Sequence, residues 1–448
     1  MAVDAAGAAP FFATVGFLAI IGYLSGGVLL SSPSGAFLRR QFLILLAAVF
    51  IARRVMHICT VNLCFDSRQI VQIRGHVVYD SSFTSSGMHL MRIMLSGCSD
   101  VFGNSGNASG LVAALGRERA IISSGTEIIL QGRFSDGLFI YDGLQVQGRN
   151  ILNEIRERLI PILERRLSPD GGSSLELSSM LLFGRTDSGS PIIRELAASC
   201  GCSHILALSG MHLGILASMC KRAFGNGRVG TAFSYLAVIA FLFTAGPRPS
   251  LVRAALSFFL GFMAVERRTV MVFILQMLLF PQSMADMGCC YSYMAIFAIV
   301  YLSPYLEALF YQIIGRPARL FGATVSVLVF SVPVLMLTDG CWHPSVLIVS
   351  PLAALLAAAS MLLGLLILSF GQVGFLMAVN GRVYEAMERL FIFGGKLPSL
   401  GWTGYAVLLS MLLLLGALIA VFRKRAAGER HINCSKLFRD APISYTNS

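Results

Sequence analysis

His204 and His212 stand eight residues apart in an apolar stretch, with Ser209 and Gly210 between them, and Arg248 and Arg253 follow beside and within a later apolar run. Polar groups at bilayer depth cost free energy unless they have partners or line a wet cavity, so these residues mark a candidate pathway. At helical spacing His204, Leu208 and His212 recur every four residues, which puts both imidazoles on neighbouring parts of one face. Gly210 permits either close helix contact or a break that exposes backbone dipoles to a substrate. An arginine on a membrane helix costs about 2.5–3.5 kcal/mol on insertion scales, so it must face protein, water or phosphate. The guanidinium fork of Arg253 suits phosphate oxygens, and an internal ion pair with Asp286 or Asp339 would satisfy it equally well. Two readings compete with a pathway. Membrane histidines taken alone more often bond neighbouring helices than touch a substrate. Ser209 and His212, three residues apart, could act as nucleophile and base, although no oriented acid partner is apparent.

The elements that must position these groups are apolar. Of the 448 residues, 56% are hydrophobic and 13% charged, too apolar for a soluble globular chain, so most of the chain belongs in lipid. The net charge is +12. From residue 201 onward 18 Lys/Arg face 8 Asp/Glu, a balance that fits nucleic acid but is also what the positive-inside rule asks of any membrane protein. Phe11 to Leu30 is long enough to span and, with no basic residue before it and no convincing cleavage site, reads as an anchor. Phe42 to Ala52, bracketed by Arg39, Arg40, Arg53 and Arg54, reads as a second span. The motif helix at 203–220 and apolar runs at about 229–245, 250–265, 269–281, 289–303, 320–338, 344–370 and 402–422 bring the expected count to about ten. With Arg39 and Arg40 cytoplasmic, Lys221, Arg222, Arg228, Arg267 and Arg268 also fall inside, and the N-terminus lies outside.

Between the leading spans and the motif the character changes. Gln69 to Tyr79 alternates, and Met88 to Met94, Glu127 to Phe134 and Leu138 to Val146 are short β-compatible segments separated by turn residues. Such spacing suggests a small extracytoplasmic barrel of the OB type, a usual platform for single-stranded nucleic acid. Its charges balance, with 7 Arg, no Lys and 7 Asp/Glu over residues 64–150. Either a local face built on Arg74, Arg92 and Arg133 binds DNA, or the module is structural. Cys64 and Cys98 lie in this module as either a disulfide or two free thiols, and the 10 cysteines show no zinc spacing. Ile151 to Leu167 has apolar residues at helical spacing with Arg156, Arg158, Arg165 and Arg166 on other faces, as in a helix lying along the interface, kinked at Pro161.

The string His204, Ile205, Leu206, Ala207, Leu208, Ser209, Gly210, Met211, His212, Leu213, Gly214 resembles the signature of the ComEC competence family, bacterial membrane proteins that pass transforming DNA across the cytoplasmic membrane. Pro249, Arg253 and Ala254 resemble the family's Pro-x-x-Arg-Ala element. Pro281 with Tyr291, Ser292, Tyr293 and Ala295 matches a third segment more loosely, Phe280 standing where Asn is usual. The resemblance covers about residues 10–400 and implies two leading spans, an OB-like module and a channel domain. Many family members end in a metallo-β-lactamase-like domain. The seven histidines here lack its His-x-His-x-Asp-His spacing and no P-loop pattern occurs, so nuclease and motor activities are expected from partners.

The resulting expectation is a polytopic α-helical membrane protein of the bacterial cytoplasmic membrane. Its parts are an anchor (1–60), an OB-like module (61–150), interfacial helices and linker (151–200), a channel domain (201–422) and a basic tail (423–448). It would conduct single-stranded DNA past His204, Ser209, Gly210, His212, Arg248, Pro249 and Arg253, without a cofactor, metal or catalytic group of its own. Expected partners are single-stranded DNA, membrane lipids, a cytoplasmic helicase or translocase, a DNA receptor and a separate nuclease, and a homo-oligomer is compatible. The rival from another class is a transporter or flippase for a small anionic solute or lipid, which would have no need of the module.

Overall fold

The computed structural model describes residues 58–404 apart from 59, 85–86, 119, 149, 168–172, 186–191, 207–209, 317, 339, 372 and 402. The two leading apolar runs, nearly all of the last one and the basic tail lie outside these residues, as do Ser209 and Asp339.

Alternation of apolar and polar residues builds the first part. The strands are β1 (Ile70–Val77), β2 (Ser82–Phe83), β3 (His89–Asp100), β4 (Ser105–Gly106), β5 (Leu111–Gly116), β6 (Glu127–Ser135) and β7 (Leu138–Gly148). Side chains of period two point to one face, where Ile70, Ile73, Val77, Met91, Ile93, Leu95, Ile128, Leu130 and Phe139 form a single core. The sheet order is β1-β6-β7-β5-β3-β2, β5 and β7 pair in parallel, and β3 pairs back onto β1. Cys64 and Cys98 are free thiols, Cys64 Sγ donating to the Asn107 carbonyl at 2.6 Å.

Helices follow: α1 (Ile151–Leu167), α2 (Ser173–Phe183), α3 (Ile192–Ser199), α4 (Ser203–Leu206), α5 (Gly210–Phe224), α6 (Arg228–Ala245), α7 (Pro249–Phe259), α8 (Val265–Leu279), α9 (Met287–Phe297), α10 (Ser303–Ile314), α11 (Ala318–Thr338), α12 (Val346–Phe370) and α13 (Gly374–Gly395). A 3-10 turn at Pro281–Ala285 precedes α9, and a π turn at Ala298–Leu302 joins α9 to α10. Helices α5, α6 and α7 pack on one another around Leu213, Ala217, Val238, Phe241, Leu251 and Ala254, a core that Ile160 and Leu167 of α1 also enter.

Of the about ten spans expected, the two leading runs and nearly all of 402–422 lie outside the described residues. Among the described residues three helices are long and apolar enough to cross a membrane: Arg228–Ala245, Met287–Tyr311 and Val346–Phe370. Hydropathy marks apolar residues, whereas spanning also needs length. The 11 residues of α7 rise only about 16 Å against a hydrocarbon core of about 30 Å. Helix α8 has 15 residues and begins on Glu266, Arg267 and Arg268. The apolar part of α11, Phe321–Leu337, falls just short.

Candidate functional site

Helix α7 is the centre of the site, and its sequence explains its start. Arg248 is the N-cap in extended conformation and Pro249 takes the first helical position, where a missing N–H costs nothing. Just before it Gly246 has φ 81°, and a Cβ there would stand 2.5 Å from an Asp80 carboxylate oxygen, so only glycine fits. Pro249 is buried, and its carbonyl accepts from Gln276 Nε2 of α8 at 3.0 Å.

One and a half turns into α7, Arg253 is only 8% exposed. Its neighbours are small or neutral. A Cβ on Gly210 would sit 3.3 Å from Arg253 Nη2 and 3.3 Å from the Ala254 Cβ. The phenol of Tyr293 and the thiol of Cys289 are the titratable groups whose fields reach it. Tyr293 donates to Gln276 Oε1 at 2.7 Å. Among the described residues no carboxylate pairs with Arg253, and its Nε has no hydrogen-bond partner. Asp286, one of the two acids expected to neutralise it, is engaged elsewhere. One carboxylate oxygen caps α9 by accepting from Cys289 N at 2.9 Å, and the other takes Arg92 of β3, also at 2.9 Å.

The expected site residues therefore separate. Gly210, Arg253 and Pro249 come together where α5, α7 and α8 meet. His212 on α5 is 0% exposed, while His204 on α4 is exposed and reaches Ser350 Oγ of α12 at 3.1 Å. The two imidazoles thus occupy unlike surroundings. In the β module, Arg74 and Arg133 are exposed, whereas Arg92 is held by Asp286.

A second cluster joins the module to the helices. Arg156 of α1 is 6% exposed and forms a two-pronged pair with Asp80, its Nη1 at 3.0 Å from one oxygen and its Nη2 on the other, while its Nε donates to the Thr244 carbonyl at the end of α6. This corrects the reading of Arg156 as lying away from the packed face. Arg248 Nη2 donates to the Gly184 carbonyl. Sequence reasoning missed Asp80, Gln276 and the pairing of Arg92, because their partners lie at sequence separations of 76, 27 and 194 residues. No group of three or more His, Cys, Asp or Glu able to hold a metal occurs among the described residues.

Residues 181–426, more than half of the chain, match the family described as Competence protein. The chain belongs to this family. Its helices agree with the family's membrane setting, and membership implies a role in DNA uptake during competence. No curated protein and no solved structure matches the chain. The competence match contains the α4–α5 signature, Arg248, Arg253 and the Tyr293 segment, while the β module precedes it.

Proposed function

We propose that this competence protein is a multi-pass channel of the bacterial cytoplasmic membrane that passes single-stranded DNA inward, with the β module outside as an OB-like barrel. The observation that carries the reading is Arg253, a buried guanidinium on an apolar helix with no carboxylate beside it among the described residues. Such a charge is costly unless an anion or water completes it, and a phosphodiester is the anion that a DNA-uptake protein meets. The barrel reading is supported by the pairing circuit β1-β3-β5-β7-β6 and back to β1, with β5 and β7 parallel. His204, Ser209, Gly210, His212, Arg248, Pro249 and Arg253 are the proposed lining. Arg74 and Arg133 are the proposed strand contacts on the module, Arg92 joining them only when it leaves Asp286. Energy and strand degradation come from partners, a cytoplasmic helicase or translocase and a separate nuclease.

The test is entry of labelled DNA into the cytoplasm of a deletion strain, with and without this chain. Restored entry is expected. Unaltered entry without the chain, or strand-independent transport of a small anion by the purified protein, would replace the reading with that of a solute or lipid transporter.

A further inference from the structure

The turn that joins α5 to α6 is cationic at its tip. Lys221 and Arg222 lie in the last turn of α5 and Arg228 begins α6, and all three side chains are exposed. From residue 196 to residue 265 the sequence holds no Asp or Glu, and among the described residues no carboxylate pairs with any of the three.

Beside these cations the surface is aromatic and apolar. Phe224 and Phe233 are both exposed and stack on each other, with ring centroids 4.1 Å apart and planes 11° from parallel. Leu236 and Ile239 continue the exposed apolar face along α6. The turn after α7 returns to this level, because Phe259 stacks on Tyr235 of α6 at 5.6 Å. Phe262, just beyond, is 83% exposed, and Arg267 and Arg268 follow at the start of α8.

Rings and cations at the end of a membrane-length helix have the pattern of a membrane–water interface: rings lie at headgroup level, and the long basic side chains reach up to the phosphates. Helix α6 is one of the three helices long and apolar enough to cross. Its opposite end is tied to the β module, since Arg156, paired with Asp80, donates to the Thr244 carbonyl. The 18 residues of α6 put about 27 Å between the two ends.

We propose that the α5–α6 tip is a binding site for an acidic phospholipid of the leaflet opposite the β module. Lys221, Arg222 and Arg228 hold the headgroup phosphate, and Phe224 and Phe233 lie against the upper acyl chain. A single strand would use similar groups. The lipid is favoured because the apolar face runs on from the rings along a helix of membrane length, where a polyanionic strand cannot follow. The inference rests on the membrane placement proposed above and not on conduction of DNA.

The full-length protein tests it in nanodiscs of mixed phosphatidylcholine and phosphatidylglycerol, with the lipids that stay bound on transfer to mild detergent counted by native mass spectrometry. Phosphatidylglycerol is expected to be retained above its share of the disc. One cation near an anionic surface contributes a preference of about fivefold. Lys221→Gln, Arg222→Gln and Arg228→Gln should each cut the enrichment by up to about that factor, and the triple variant should retain the two lipids in disc proportion. If the triple variant does not enter discs, the single exchanges carry the test. Retention in disc proportion by the wild type, or an enrichment that the variants keep, would overturn the site and leave the membrane reading standing. A purified protein that enters no disc and stays soluble without detergent would overturn both. Release of the retained phosphatidylglycerol by a dT oligonucleotide would assign the cations to a strand and overturn the lipid assignment.

Discussion

Arg156 and Arg253 are buried almost equally, at 6% and 8% exposure, yet their surroundings are opposite. Arg156 has a carboxylate on both prongs and a carbonyl on its Nε, so its charge and donors are met within the fold. Arg253 has small and neutral neighbours and an Nε without a partner. The first is what a structural arginine requires, because removing one member of a buried pair costs about 3–5 kcal/mol. The second leaves a charge for something outside the chain to complete. Burial alone therefore does not separate scaffold from site; the presence of a matched acid does.

That contrast is most sharply broken by substitution. Arg253→Ala is expected to abolish DNA entry with the protein still present in the membrane at its normal level. Lys should restore entry only in part, because an ammonium cannot reproduce two-pronged contact. Asp80→Ala is expected to do the reverse, lowering the amount of folded protein by stranding Arg156, a loss of about 3–5 kcal/mol. Quantifying membrane-inserted protein beside DNA entry separates the two. Loss of protein in Arg253→Ala with normal levels in Asp80→Ala would invert the assignment.

Gly210→Leu follows in size. A Cβ at Gly210 would already press on Arg253 Nη2 and Ala254 at 3.3 Å, so a larger side chain must displace the guanidinium or part α5 from α7. DNA entry should fall strongly although the segment becomes more hydrophobic. Cysteines placed one at a time in a cysteine-depleted background sharpen the picture of this helix. Position 204 should react with a water-soluble thiol reagent, and positions 206 and 213, both buried, should be protected. Normal entry with Gly210→Leu would place the path away from this contact.

The same contrast explains what was legible in the sequence. Alternation exposed β1, β3, β6 and β7, and the apolar run from about residue 250 marked the start of α7. Strand β5 was missed because Leu111 to Leu115, Leu-Val-Ala-Ala-Leu, has no strong β preference; its conformation is imposed by pairing with β3 and β7. Arg92 looked like a nucleic-acid contact because its partner Asp286 is 194 residues away. Arg156 looked outward because helical periodicity shows which residues are apolar, not which polar residue meets a distant acid. Arg253 was legible as a charge that needs a partner, and only the fold could show Asp286 to be occupied.

The smallest expected effect concerns the module's own buried titratable group. His89 is 0% exposed between Tyr141 and Ser81, and burial holds its imidazole below the ordinary value of 6.5. The folded module therefore prefers the neutral ring. Above about pH 6.5 the ring is neutral whether the module is folded or not, and its contribution to stability is fully present. As pH falls below 6.5 the unfolded chain takes up a proton that the folded one resists, and stability is progressively lost down to the depressed folded value. The protection of the β3 and β7 amides in the intact protein, taken relative to the intrinsic exchange rate at each pH, should accordingly fall between pH 7.5 and 5.5, and His89→Gln should remove that dependence while lowering stability at pH 7.5. Arg253 predicts no such loosening of the module, so Arg253→Ala should leave the exchange profile unchanged. A pH response that persists in His89→Gln would move its origin to another group.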